Sequence, residues 1–230
     1  MLITADPEVA LRFGDQRSVL NSVFIEETTF ASAKALQRLA HYAKEACTLR
    51  SGYVDTTWRH LDPTPQEDLQ PILRELTELM RGYEFLDEDN AYELEGNLQF
   101  MASQGAIPHA DCYNTDWQDT LFWVYVLHST EADLVFPNLG IRIDMKPGQL
   151  IVFDPGQPHA VVARNSALFR HCDFPAQKWQ TYLAGHVNYE KPFWHRLDVV
   201  TDKQMLKTGP LRDVCRLKVN VRSGRLQKDQ

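Results

Sequence analysis

The chain has 230 residues, 43% of them hydrophobic, and a formal net charge of −7. That length suits one large domain, or one domain with an elaborated end, with enough apolar mass for a real core. The acidic balance argues against general affinity for nucleic acid, which needs clustered positive charge, and no stretch approaches the apolar run of a membrane helix.

The opening "MLITADPEVALRFGDQ" lacks the basic patch and apolar run of a secretory signal. The four cysteines, Cys47, Cys112, Cys172 and Cys215, are scattered without a C-x-x-C pair, which predicts reduced thiols in a cytoplasmic protein. The first third reads as helical. Ala31 to Arg50 spaces Leu36, Leu39, Ala40 and Ala43 along one face, with charges on the other. A second helix is signalled by "TPQEDLQPILRELTELMRG", where Thr64 and Glu67 make a capping-box pattern and Pro65 suits the first helical position. Leu69, Ile72, Leu73, Leu76 and Met80 form its apolar stripe, and Gly82 suits its end. Pro71 predicts either a kink or a regular helix that begins near Asp68.

After Asp87 short β-branched and aromatic runs alternate with turns. Strands are expected at about Tyr92–Ser103, Thr120–His128, Leu134–Phe136, Ile141–Met145, Gln149–Phe153, Ala160–Val162 and Ala167–Asp173. Pro147-Gly148 and Pro155-Gly156 supply turns between them. Many short strands with regular turns indicate a sandwich or barrel, and helices followed by strands fit helices packed on one side of it. The stretch from Lys203 to Lys228 is locally basic and reads as a solvated surface.

The chemistry centres on "IPHADCYN". Residues i and i+2 of a strand share a face, so His109 and Asp111 can present an imidazole and a carboxylate together. His159 follows the turn "DPGQP" 48 residues after Asp111 and opens the run "HAVV". Two histidines and one carboxylate are the facial donor set of non-haem Fe(II) oxygenases, which leaves coordination positions open. Cys112 should face away from Asp111. The other histidines, at 41, 60, 128, 171, 186 and 195, lack a comparable context and read as structural or surface residues.

With "PHADCYN", "LVFPNLG" and "MKPGQLIVFDPGQPHAV" in view, the stretch from Tyr92 to Phe174 resembles the Fe(II)/2-oxoglutarate-dependent dioxygenases, most nearly the prolyl-hydroxylase-like branch. The resemblance implies an α+β chain with a double-stranded β-helix core of the jelly-roll or cupin-like kind and N-terminal helices packed on one face. It divides the chain into a helical support region at 1–90, a catalytic core at 91–174 and an extension of the same domain at 175–230. It implies that His109, Asp111 and His159 bind Fe(II), and that an arginine beyond the distal histidine holds the far carboxylate of 2-oxoglutarate. Two arginines compete for that role: Arg170 in "ALFRHCDF" is favoured over Arg164 in "VARNSA". A guanidinium suits the task because it donates two parallel hydrogen bonds to a carboxylate. Tyr125 matches a position where relatives place a hydroxyl near the cosubstrate, and a core tyrosine is the equal alternative.

The implied reaction consumes O2 and 2-oxoglutarate, oxidises a substrate, with hydroxylation the leading form, and releases succinate and CO2. A retained Asp111 favours hydroxylation or demethylation over halogenation. Free amino acid, protein side chain and small metabolite stay open as substrates, with nucleic acid the least favoured. The aromatics Trp179, Tyr182, Tyr189, Phe193 and Trp194 fit a lid, a homodimer interface or plain packing. Two other readings remain: a cupin-like metalloenzyme that does not use 2-oxoglutarate, and a non-catalytic β-helix binding module.

Overall fold

A computed structural model describes residues 2–4, 22–47, 56–60, 65–82, 94, 98–109, 120–136, 141–155, 159–166, 169–175, 177–188, 218–220 and 225–227. Two helices are among them. Helix α1 (Ala33–Ala46) starts where the Ser32 side chain accepts from the Ala35 N–H, and it buries Leu36, Leu39, Ala40 and Ala43, as its periodicity predicts. Helix α2 (Gln66–Gly82) buries Leu69, Ile72, Leu73, Leu76 and Met80 and runs through Pro71 without ending. Pro71 falls early in the helix and removes a single backbone donor there. Thr64, half of the expected capping box, lies outside the described residues. Arg38 of α1 forms a two-pronged ion pair with Asp68 of α2, whose carboxyl is 6% exposed. The guanidinium holds the Asp68 carboxyl below its ordinary range.

The strands form two antiparallel sheets. In chain order they are β1 (Leu2–Thr4), β2 (Ser22–Glu27), β3 (Thr56–His60), β4 (Gln99–Ser103), β5 (Ala106–His109), β6 (Thr120–His128), β7 (Ala132–Phe136), β8 (Ile141–Asp144), β9 (Gln149–Phe153), β10 (His159–Ala163) and β11 (Gln180–Asn188). The larger sheet has the order β1-β2-β9-β6-β11-β4-β3 and the smaller β5-β10-β7-β8. Within them, β4 to β11 place the first, third, sixth and eighth strands of a unit in one sheet and the second, fourth, fifth and seventh in the other. That alternation is the double Greek key of the jelly roll. A short hairpin of β12 (Lys218–Asn220) and β13 (Arg225–Gln227) forms a separate ladder.

Two apolar clusters follow from strand periodicity. On β6, Leu121, Trp123, Tyr125 and Leu127 pack with the helices, while Phe122, Val124 and Val126 pack with the smaller sheet. The larger sheet is therefore buried on both faces, and the helices cover only its outer one. Three expectations are corrected. Strands β1, β2 and β3 belong to the larger sheet, although the first third reads as helical. Among the described residues of the strand expected at Ala167–Asp173, Phe169 and Arg170 are irregular and His171–Asp173 is a single 3-10 turn. The strand that closes the roll is β11, which pairs with both β4 and β6, so the core reaches beyond residue 174 into the expected extension. Trp179 and Tyr182 are core residues, at 9% and 2% exposure.

The link from β4 to β5 sets the strand that carries "IPH". Gly105 takes a positive φ of 95° there, and an added Cβ would lie 2.6 Å from the Phe174 ring. Glycine alone meets both demands. Gly105→Ala is expected to cost about 1–3 kcal/mol from overpacking, read as a lower Tm; an unchanged Tm would mean that Phe174 does not close on this turn.

Candidate metal centre

β5 ends at His109 and β10 begins at His159, and the two positions are direct partners in the antiparallel register. The next pairing, Val161 with Ala106, shows that β5 carries one extra residue between them. Pro108 falls in that bulge, where its missing N–H leaves no ladder bond unmade. Bulges of this kind re-aim neighbouring side chains. Two histidines that are 50 residues apart in sequence thus occupy one rung of the smaller sheet.

His159 is 5% exposed. Its neighbour two residues on, Val161, packs in the cluster between the sheets, whereas Ala160 and Val162 pack with Val135 on the far side. The His159 ring meets Phe153 edge-on at 5.0 Å and Phe136 at 6.0 Å between centroids. Phe153 in turn touches Phe136 at 5.0 Å and Phe122 at 5.4 Å. This aromatic wall keeps water from one side of the imidazole and fixes its plane. Asp111 and the His109 side chain lie outside the described set. Among the described side chains no three of histidine, cysteine, aspartate and glutamate converge.

Each residue expected to bind 2-oxoglutarate has described partners of its own. Tyr125 faces the helices: its hydroxyl is 3.1 Å from Thr28 Oγ1 and its ring stacks on Phe30 at 5.7 Å. Burial raises its pKa. The parity of β6 puts it on the helix-covered face of the larger sheet. Arg170 lies in an irregular segment with 63% of its side chain exposed, and its Nε donates to Asp173 at 3.0 Å. Arg164 follows the far end of β10, is 40% exposed, and pairs with Asp144. A metal ion fits the donor chemistry of this site, since a buried imidazole on the barrel side is what a ligand position requires. Both arginines are partly exposed and each pairs with a carboxylate of the chain.

One residue escaped the sequence reading. His186 of β11 sits opposite Phe122 and its ring lies 4.8 Å from that phenyl. Through Phe122 and Phe153 it shares the aromatic wall with His159. Its signal was the alternation Tyr182, Ala184, His186 along one strand face, hidden because Leu183 and Val187 are buried on the other.

Among the described residues no helix is long and apolar enough to cross a membrane. No protein-family profile and no curated protein matches the sequence. Solved structures do. A viral collagen prolyl hydroxylase from Paramecium Bursaria Chlorella virus-1, in complex with 2-oxoglutarate, is 17% identical over 73% of this chain and 96% of its own, with a TM-score of 0.48. A Pseudomonas putida prolyl-4-hydroxylase is 16% identical over 73% and 92%, with a TM-score of 0.44. HygX from Streptomyces hygroscopicus, with nickel and 2-oxoglutarate bound, is 6% identical over 74% and 83%, with a TM-score of 0.41. The strand order and register described above make this chain a double-stranded β-helix with helices on one face.

Proposed function

We propose that this chain is a non-haem Fe(II)- and 2-oxoglutarate-dependent dioxygenase in which His109, Asp111 and His159 hold the metal. The observation that carries the reading is the pairing of His109 with His159 across β5 and β10. Opposite positions of an antiparallel ladder bring Cβ atoms to about 4.5–5.5 Å on one face, as two ligands of one ion require. Asp111 would supply the carboxylate from the chain just beyond β5. When bound, Fe(II) with 2-oxoglutarate and O2 supplies the oxidising power, and the products are an oxidised substrate, succinate and CO2. The chain's own part is to hold two neutral imidazoles and a carboxylate on one side of the ion, and to keep water out with Phe136 and Phe153. A small molecule or a protein side chain is the proposed substrate, and the cytoplasm the proposed compartment.

One observation favours a second reading, a cupin-like metalloenzyme without 2-oxoglutarate: Arg164 and Arg170 are both held by carboxylates outside the barrel. The test is an anaerobic titration of metal-free protein with Fe(II) and then 2-oxoglutarate, following the visible charge-transfer band of the chelate. The band is the expected result. Iron binding with no band would transfer the assignment to the cupin-like reading, and no metal binding would end both.

A further inference from the structure

The strands bring a set of rings to one end of the barrel. β5 ends at His109 and β10 begins at His159, while β7 ends at Phe136 and β9 at Phe153. In the larger sheet His186 of β11 lies opposite Phe122 of β6, and Phe122 lies opposite Phe153 of β9. His186, Phe122 and Phe153 therefore form one rung across three strands. Phe153 meets both His159 and Phe136 of the smaller sheet at 5.0 Å between centroids, so this rung faces the one that holds His109 and His159.

His186 is where that rung meets water. Tyr182, Ala184 and His186 follow one another on the inner face of β11. The first two are buried, whereas His186 is partly exposed. The inner face of β11 thus opens to solvent at the end of the barrel that carries His159. The His186 ring is tilted by 40° against Phe122. Phe122 and Phe153 are buried and offer no hydrogen-bonding atom. His186 also stands in the sheet opposite the proposed ligands, which suits a group that meets the substrate and not the ion.

An imidazole in an apolar rim selects through its hydrogen bond. A site built to bond a polar group rejects analogues that lack it far more strongly than an apolar pocket rejects a changed methylene. The ring can only gain donors, because protonation turns its lone pair into a second N–H. Hydrogen bonds to an ionised acceptor are the stronger kind. The matching group is a carboxylate or an amide carbonyl, and the neighbouring phenyl rings suit an apolar remainder.

We propose that His186 is a specificity-determining residue that holds the carboxylate or amide carbonyl of a small, otherwise apolar substrate as that substrate faces the metal. This rests on the proposed function and deepens it by naming a substrate class.

The test uses three probes with one apolar body: 3-phenylpropionate, 3-phenylpropionamide and 3-phenylpropylamine. Each is titrated calorimetrically into anaerobic protein loaded with Fe(II) and 2-oxoglutarate, as wild type, His186→Leu and His186→Gln. The charge-transfer band checks the loading, and Fe(II) affinity is measured for each variant. The wild type should bind the acid and the amide at least about tenfold more tightly than the amine, whose ammonium brings only donors. His186→Leu should lose that preference with Fe(II) affinity unchanged. His186→Gln keeps an N–H donor and should restore much of it. A merely structural role would weaken all three probes alike or shift Fe(II) affinity, and either result overturns the assignment. So does a preference that survives in His186→Leu, or a loaded wild type that binds none of the probes. A wild type that forms no charge-transfer band is a different failure, that of the parent reading.

Discussion

Metal-free wild-type protein is expected to gain roughly 5–10 °C in Tm when Fe(II) is supplied anaerobically at about 100 times its Kd, and His159→Ala to gain nothing. The first figure follows from linkage: at that excess a ligand adds about 2.7 kcal/mol, and each kcal/mol moves Tm by about 2–4 °C in a chain of this size. The second follows from position. His159, one half of the His109–His159 rung, is buried, and even the hydrogen-bond partners that merely orient a ligand are worth about 10–100-fold in metal affinity. Loss of the ligand itself should exceed about 100-fold. His159→Ala also leaves a gap beside Phe153, so its starting Tm will fall. His159→Gln, closer in volume, separates the two effects: it should begin nearer the wild-type Tm and still gain little from metal. His109→Ala and Asp111→Ala should behave as His159→Ala does. An Fe(II)-dependent gain in His159→Ala equal to that of the wild type would sink the metal assignment.

Much of the sheet around the candidate site was legible because the relevant signals are local. The turn at Pro147-Gly148 precedes β9, and the observed β6, β8, β9 and β10 lie within two residues of their expected spans. The helices were legible for the same reason, since an apolar stripe needs only its own sequence. What failed was non-local. β2 and β3 are strands because β9 and β4 offer them edges, and β1 because β2 does, and nothing within "TTWRH" announces its partner. For Tyr125 the open question was parity. In "LFWVYVL" both faces are apolar because both are buried, one under helices and one against the smaller sheet, so the sequence does not mark which face looks into the barrel. The strand expected to carry Arg170 was misplaced through the path of the chain. A residue 11 positions beyond His159 was expected on the next strand, but Asp173 captures the guanidinium in a 3-10 turn and the strand begins only at Gln180.

Phe153→Ala should be the most damaging change outside the proposed ligands, and it should damage two things at once. The side chain is 2% exposed and touches Phe122, Phe136 and His159. Truncating a buried phenylalanine costs about 3–5 kcal/mol through lost transfer energy and the cavity left behind, or roughly 6–20 °C in Tm. The same truncation removes the edge-on partner that sets the plane of the His159 ring. A loosened ligand must be ordered again when the metal binds, so Fe(II) affinity should fall by about 10–100-fold, as it does when an orienting partner is lost. The control is Leu150→Ala on the same strand. Leu150 is fully buried but packs toward the helices, and its loss should cost about 2–5 kcal/mol. Both variants should therefore unfold at lower temperature, and only Phe153→Ala should bind Fe(II) more weakly. Equal losses of affinity would mean that β9 transmits any loosening to the site, and that the aromatic wall does not orient His159. Unchanged affinity in both would mean that the register of β5 and β10 alone positions the ligands.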